Sequence, residues 1–130
     1  EMVVCNRGDG WGLSELKEKG LPIWVLSTEK NPVVQARCDK LDLPCMHGAE
    51  DKKALFMSWL AGRDIDPGDV IFLGNDVNDQ ECLQLAGCGA VVADAHPDVV
   101  PSANLVLSTN GGEGAVRELT DLIQQKYLNF

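Results

Sequence analysis

Short runs of β-favouring apolar residues punctuate the chain at Met2–Cys5, Ile23–Leu26, Cys45–His47, Val70–Leu73, Ala90–Ala93 and Leu105–Leu107. Between most of them the apolar positions fall at helical spacing. Leu13, Leu16 and Lys17 with Trp11 predict one helix, ended by Gly20 before Leu21-Pro22. Val33, Val34, Cys38 and Leu41 predict a second, opened by Asn31-Pro32 as cap and first helical residue. Leu55, Phe56, Trp59 and Leu60 mark a third, and Cys82, Leu83 and Leu85 a short fourth. In the last, Val116, Leu119, Ile123 and Tyr127 share one face, with Glu118 and Asp121 on the other. Strands alternating with helices predict an α/β fold, a mainly parallel sheet covered on both faces. There is no internal repeat or long linker, and Gly111, Gly112 and Gly114 read as a turn before the last helix.

The 130 residues fit a single domain, 1–130, with one sizeable core. A net charge of −9 argues against a nucleic-acid or anionic-membrane binder, which needs a basic patch. It leaves an anionic substrate open, because a bound divalent cation inverts the local field. No apolar run approaches the roughly 20 residues that span a bilayer. The cysteines Cys5, Cys38, Cys45, Cys82 and Cys88 form no CxxC pair. They read as buried thiols of a reducing cytoplasm. Neither His47 nor His96 completes a zinc spacing with them. The chain opens on Glu1 rather than Met, so part of the protein is expected upstream.

Candidate chemistry follows from topology. In open α/β sheets, ligands bind beyond the carboxyl ends of the strands. Ser27 and Thr28 follow the second run, Gly48-Ala49-Glu50-Asp51-Lys52 the third, Gly74-Asn75-Asp76-Val77-Asn78-Asp79 the fourth and Asp94-Ala95-His96-Pro97 the fifth. A hydroxyl, an ammonium and several oxygen ligands therefore meet on one edge. This set suits phosphoryl transfer: donors hold phosphate oxygens, a lysine offsets developing charge, and hard oxygen ligands suit Mg²⁺. Each member also has a plainer reading. Ser27 fits a cap, Lys52 a solvated helix residue beside Lys53, Asp51 the cap of the third helix, and Asn75–Asp79 a polar turn with an N-cap.

Taken together, the blocks resemble the haloacid dehalogenase (HAD) superfamily. They are closest to its cap-less branch of 3-deoxy-D-manno-octulosonate 8-phosphate phosphatases, and to the phosphatase-like C-terminal domain of CMP-sialic acid synthetases. The blocks are Asn6-Arg7-Gly8-Asp9-Gly10-Trp11-Gly12-Leu13, Leu26-Ser27-Thr28-Glu29, Gly48–Lys52, Gly74–Asp79, Val92–Pro97 and Gly111–Glu118. The resemblance implies a three-layer Rossmann-like HAD fold. Ser27, with Thr28, would bind the transferring phosphoryl, and Lys52 would steady nucleophile and phosphate. Asn75, Asp76 and Asp79 would form the Mg²⁺ loop. Arg7 and Asp9 would border the site. Arg117 would reach the site of a neighbouring subunit in a homo-tetramer.

Three departures qualify that transfer. The family's Asp-x-Asp nucleophile block on the first, central strand is absent from this sequence. Asn75 stands where many relatives have Asp, and Glu113 where relatives often have a basic residue. Loss of a central strand would open a gap between its neighbours and leave backbone groups unpaired. The expected function is a Mg²⁺-dependent phosphatase of a phosphorylated 2-keto-3-deoxy sugar acid, acting through a phospho-aspartate whose nucleophile lies outside this chain. The alternative is a non-catalytic oligomerisation module of a CMP-sialic acid (acylneuraminate) cytidylyltransferase. A third reading takes Gly8, Gly10 and Gly12 as a nucleotide loop.

Overall fold

The computed structural model describes residues 7–27, 32–46 and 51–128. In chain order these form α1 (Arg7–Glu18), β1 (Val25–Leu26), α2 (Pro32–Leu41), β2 (Cys45–Met46), α3 (Lys52–Gly62), β3 (Ile71–Gly74), α4 (Gln80–Leu85), β4 (Cys88–Val91), β5 (Leu105–Val106) and α5 (Ala115–Ile123). The strand predicted at Met2–Cys5 lies outside the described residues, as do Thr28 and His47.

All the strand pairs are parallel, as the alternation predicts. β1 pairs with β2, setting Val25 opposite Cys45. β4 lies between β3 and β5, setting Ile71 opposite Cys88 and Ala90 opposite Leu105. Two boundaries differ from the sequence reading. β4 begins at Cys88 and ends at Val91, two residues earlier than the apolar run suggests. Ala93 has already turned to donate to the Thr109 carbonyl at 2.9 Å. Helix α1 starts at Arg7, not near Trp11, and takes Gly8, Gly10 and Gly12 into helix. That removes the nucleotide-loop reading, because helical glycines present no phosphate cradle.

Gly12 has a packing reason instead. A Cβ there would strike the Thr120 hydroxyl and come within 3.2 Å of its Cβ. The missing side chain lets α1 and α5 cross closely. The two helices cover one face, where Leu16, Leu119 and Ile123 meet Leu21, Ile23, Ile71, Leu73, Ala90 and Val92. Helix α3 covers the other, packing Phe56 and Leu60 against Trp24, Leu26, Val70 and Phe72. A parallel sheet needs such double cover.

The sheet under this cover is split: among the described residues, no ladder joins β1 to β3. Val25 and Ser27 donate to the carbonyls of Pro44 and Met46, at 3.0 and 2.9 Å. Alternate strand residues face opposite neighbours, so the backbone of Trp24 and Leu26 points away from β2. On β3, the carbonyls of Val70 and Gly74 accept from Cys88 and Val92, at 3.1 and 3.4 Å. The backbone of Ile71 and Leu73 therefore points away from β4. These two open edges lie under the same helices. Burial agrees: Ala90 and Val91 on β4 are fully buried, whereas Val25, Leu26, Ile71, Phe72 and Leu73 are only half-buried.

Candidate active site

The site is built at the carboxyl ends of β1 and β3 and at the start of α3. Asp51 caps α3, its carboxylate accepting from the Ala54 N–H at 3.0 Å. This fixes Lys52 in the first turn, on the same helical face as Phe56 and Leu60, four and eight residues on. That face is buried, so Lys52 is buried with it, while Lys53 next door stays exposed and pairs with Glu81 at 3.4 Å. The solvated reading of Lys52 fails for this reason.

Lys52 Nζ donates to Asp79 Oδ1 at 2.7 Å, and the two side chains are 2 % and 1 % exposed. The second oxygen of Asp79 accepts from the backbone N–H groups of Asn75 and Asp76, at 2.9 and 3.2 Å. Three donors around one carboxylate offset the cost of burying it. The same bonds shape the loop. Asp76 caps a short 3-10 turn by accepting from the Val77 N–H at 2.7 Å, and Asp79 reaches back as its capping-box partner. Gly74 makes this possible, since a Cβ there would lie 2.7 to 2.9 Å from three Asp79 atoms.

The loop thus divides the roles of its polar residues. Asp79 is spent on Lys52 and the backbone. Asn75 and Asp76 are exposed at the edge. Asn75 and Asp76 are the exposed oxygen-bearing residues of the loop that the sequence reading offered to a hard cation. A pair of such ligands fits Mg²⁺, which keeps several waters when bound. Among the described residues, no three His, Cys, Asp or Glu side chains converge as a complete metal site.

Ser27 closes β1 on the same edge and is 1 % exposed. Beneath the ion pair lies Cys82, fully buried, its thiol pushed up to about 11 by burial first and by the Asp79 carboxylate second. It is a neutral packing group, not a nucleophile. Arg7 and Asp9 fall in the first turn of α1, and their side chains are outside the described part. The Arg117 guanidinium meets Asp121 at 3.0 Å and Glu15 of α1 at 3.6 Å. The i, i+4 spacing of Arg117 and Asp121 was visible in the sequence as a helix-surface pair.

Residues 43–119, spanning β2 through most of α5 and including Lys52 and the Asn75–Asp79 loop, match the family model for haloacid dehalogenase-like hydrolases. The chain belongs to that family. Among curated HAD relatives, the 3-deoxy-D-manno-octulosonate 8-phosphate phosphatase of Escherichia coli is 32% identical over 124 residues. The match covers 95% of this chain and 66% of that protein, so the chain spans just under two thirds of the relative's length. A HAD family hydrolase from Streptomyces avermitilis superposes with a TM-score of 0.92 at 42% identity, covering 99% of this chain and 74% of its own. The octulosonate phosphatase of Moraxella catarrhalis, solved with magnesium, phosphate and the sugar acid, gives 0.90 at 26% identity, covering 95% and 71%. The HAD fold expected from the sequence is therefore the fold observed.

Proposed function

We propose that the protein is a Mg²⁺-dependent phosphatase that removes phosphate from a phosphorylated 2-keto-3-deoxy sugar acid, of the octulosonate 8-phosphate or nonulosonate 9-phosphate type. The observation that carries this reading is the buried Lys52–Asp79 pair beside the exposed Asn75, at the carboxyl edge of a parallel sheet. A fixed ammonium in a dry site offsets charge on a transferring phosphoryl without reorganising. Asp79 holds that ammonium in place. Ser27, at the carboxyl end of β1, would bind a phosphoryl oxygen. Asn75 and Asp76 would hold Mg²⁺, which supplies Lewis-acid polarisation of the phosphate when bound. Likeness to the magnesium- and phosphate-bound Moraxella catarrhalis enzyme supports the assignment.

The nucleophile would lie between β1 and β3, which no ladder joins among the described residues. An aspartate on a strand seated there would attack phosphorus as the ester oxygen leaves, and water would then hydrolyse the acyl phosphate. In this reading Arg7, Asp9 and Thr28 border the phosphate, and no substrate contact is assigned to Arg117. The test is phosphate release by the intact protein from both sugar-acid phosphates in the presence of Mg²⁺. Turnover supports the reading. Absence of turnover with both, in a protein whose mass in light scattering is tetrameric and falls when this domain is deleted, replaces it with an oligomerisation module of a cytidylyltransferase.

A further inference from the structure

Hydrogen bonds stitch three loops together along the carboxyl edge. The His96 N–H donates to the Asn75 carbonyl at 2.9 Å, tying the loop after β4 to the loop after β3. Asp94, in the same loop, accepts from the Gly111 N–H at 2.8 Å, and the Ala93 N–H donates to Thr109 at 2.9 Å. These two bonds tie it to the loop after β5. That third loop is held from behind. Both oxygens of Glu118, one turn into α5, accept from the Ser108 N–H at 3.0 Å, and one also accepts from the Thr109 N–H at 2.9 Å. A segment carrying Gly111, Gly112 and Gly114 would otherwise sample many backbone states. Two carboxylates, Asp94 and Glu118, fix it.

We propose that Asp94 and Glu118 are positioning residues that hold the 108–114 loop as the far wall of the site, against the sugar-acid part of the substrate. The inference rests on the phosphatase reading above. The order of the strands sets the division of labour. Ser27 and Lys52 lie on the β1 side of Asn75, where the phosphoryl belongs. The 108–114 loop lies two strands beyond β3, on the side left for the rest of the ester. Loosening this loop should weaken recognition of the sugar acid and leave phosphoryl transfer alone.

Two measurements on the intact protein decide it. Amide hydrogen exchange at Gly111 should accelerate in Asp94→Ala and stay slow in Asp94→Asn, which keeps an acceptor oxygen. Exchange at Ser108 and Thr109 should accelerate in Glu118→Ala. In steady-state kinetics, Asp94→Ala should raise KM for the sugar-acid phosphate roughly three- to tenfold with kcat little changed, the loss of one charge-assisted bond. Turnover of para-nitrophenyl phosphate, which lacks the sugar acid, should be unaffected, and Asp94→Asn should restore the KM. Unchanged exchange refutes the stitching. Accelerated exchange with unchanged KM refutes the wall, and an equal loss of kcat on both esters refutes a positioning role. If the unsubstituted protein hydrolyses neither ester, the phosphatase reading fails, and with it the wall, while the exchange data still decide the stitching.

Discussion

Replacing Asp79 by Asn changes one buried charge and almost no volume, so it reads the electrostatics of the site without opening a cavity. The carboxylate accepts from Lys52 Nζ on one oxygen and from two backbone N–H groups on the other. An amide has a single oxygen. Its NH₂ must then point either at the ammonium or at the Asn75 and Asp76 N–H groups, setting donor against donor in a site that is 1 to 2 % exposed. Removing one partner of a buried ion pair costs about 3–5 kcal/mol. The donor clash places Asp79→Asn at the upper end, about 5 kcal/mol. Lys52→Met is milder, about 3 kcal/mol, because the remaining carboxylate keeps both backbone bonds. The double variant should lose less than the sum, since Met removes the donor that the amide would clash with. Urea unfolding followed by tryptophan fluorescence measures this, as Trp24 packs on Trp59 of α3 with ring centroids 5.6 Å apart. With a slope of about 1–3 kcal/mol per molar urea, the midpoints should separate clearly. Losses under about 1 kcal/mol for both single variants, or a milder loss for Asp79→Asn than for Lys52→Met, would refute the reasoning.

Three further outcomes follow from close contacts and titration. Gly74→Ala should push the Asp79 carboxylate off Lys52, because the new Cβ would lie 2.7 to 2.9 Å from it. It should cost about 1–3 kcal/mol in chemical denaturation and reduce Mg²⁺-dependent turnover. Gly12→Ala should destabilise, although alanine in a helix is favoured over glycine by about 1 kcal/mol. A rise in thermal midpoint would show that α1 and α5 do not cross as described. Glu118 is held below the usual 4.5, first by the Ser108 backbone N–H. A depressed carboxyl contributes its stability in full above its unfolded pKa and loses it as pH falls through the folded value. Unfolding midpoints measured down a pH series into the acid range should therefore fall less steeply in Glu118→Gln than in the unsubstituted protein. Parallel curves would count against the clamp.

The architecture was legible because apolar runs and helical spacing are local signals, and five of the six predicted strands reappear among the described residues. Their ends were not. Glycines on both sides of Cys88 hide the start of β4, since a ladder partner, not propensity, decides it. The site was legible in order but not in roles. Lys52 and Lys53 look alike as neighbours, yet Lys52 shares a face with Phe56 and Leu60, a spacing that already marked it for burial. Its partner lies 27 residues away, and nothing local pairs them. Asp76 and Asp79 stand at capping-box spacing, a local sign of backbone duty for Asp79 that its assignment to the Mg²⁺ loop passed over. Arg117 drew its role from resemblance alone, whereas its i, i+4 partner was present in the sequence. Asp94 and Glu118 act on backbone N–H groups 9 to 17 residues away, in loops without a periodic pattern.

The central claim is that the Lys52–Asp79 pair and a cation held by Asn75 and Asp76 together carry phosphoryl transfer. Phosphate release from 3-deoxy-D-manno-octulosonate 8-phosphate by the intact protein tests it most directly, measured with Mg²⁺, with chelator, and in Lys52→Ala. Chelator should abolish turnover, added Mg²⁺ should restore it, and Lys52→Ala should lower it about a hundredfold or more. Turnover indifferent to chelator or full activity in Lys52→Ala would contradict the claim.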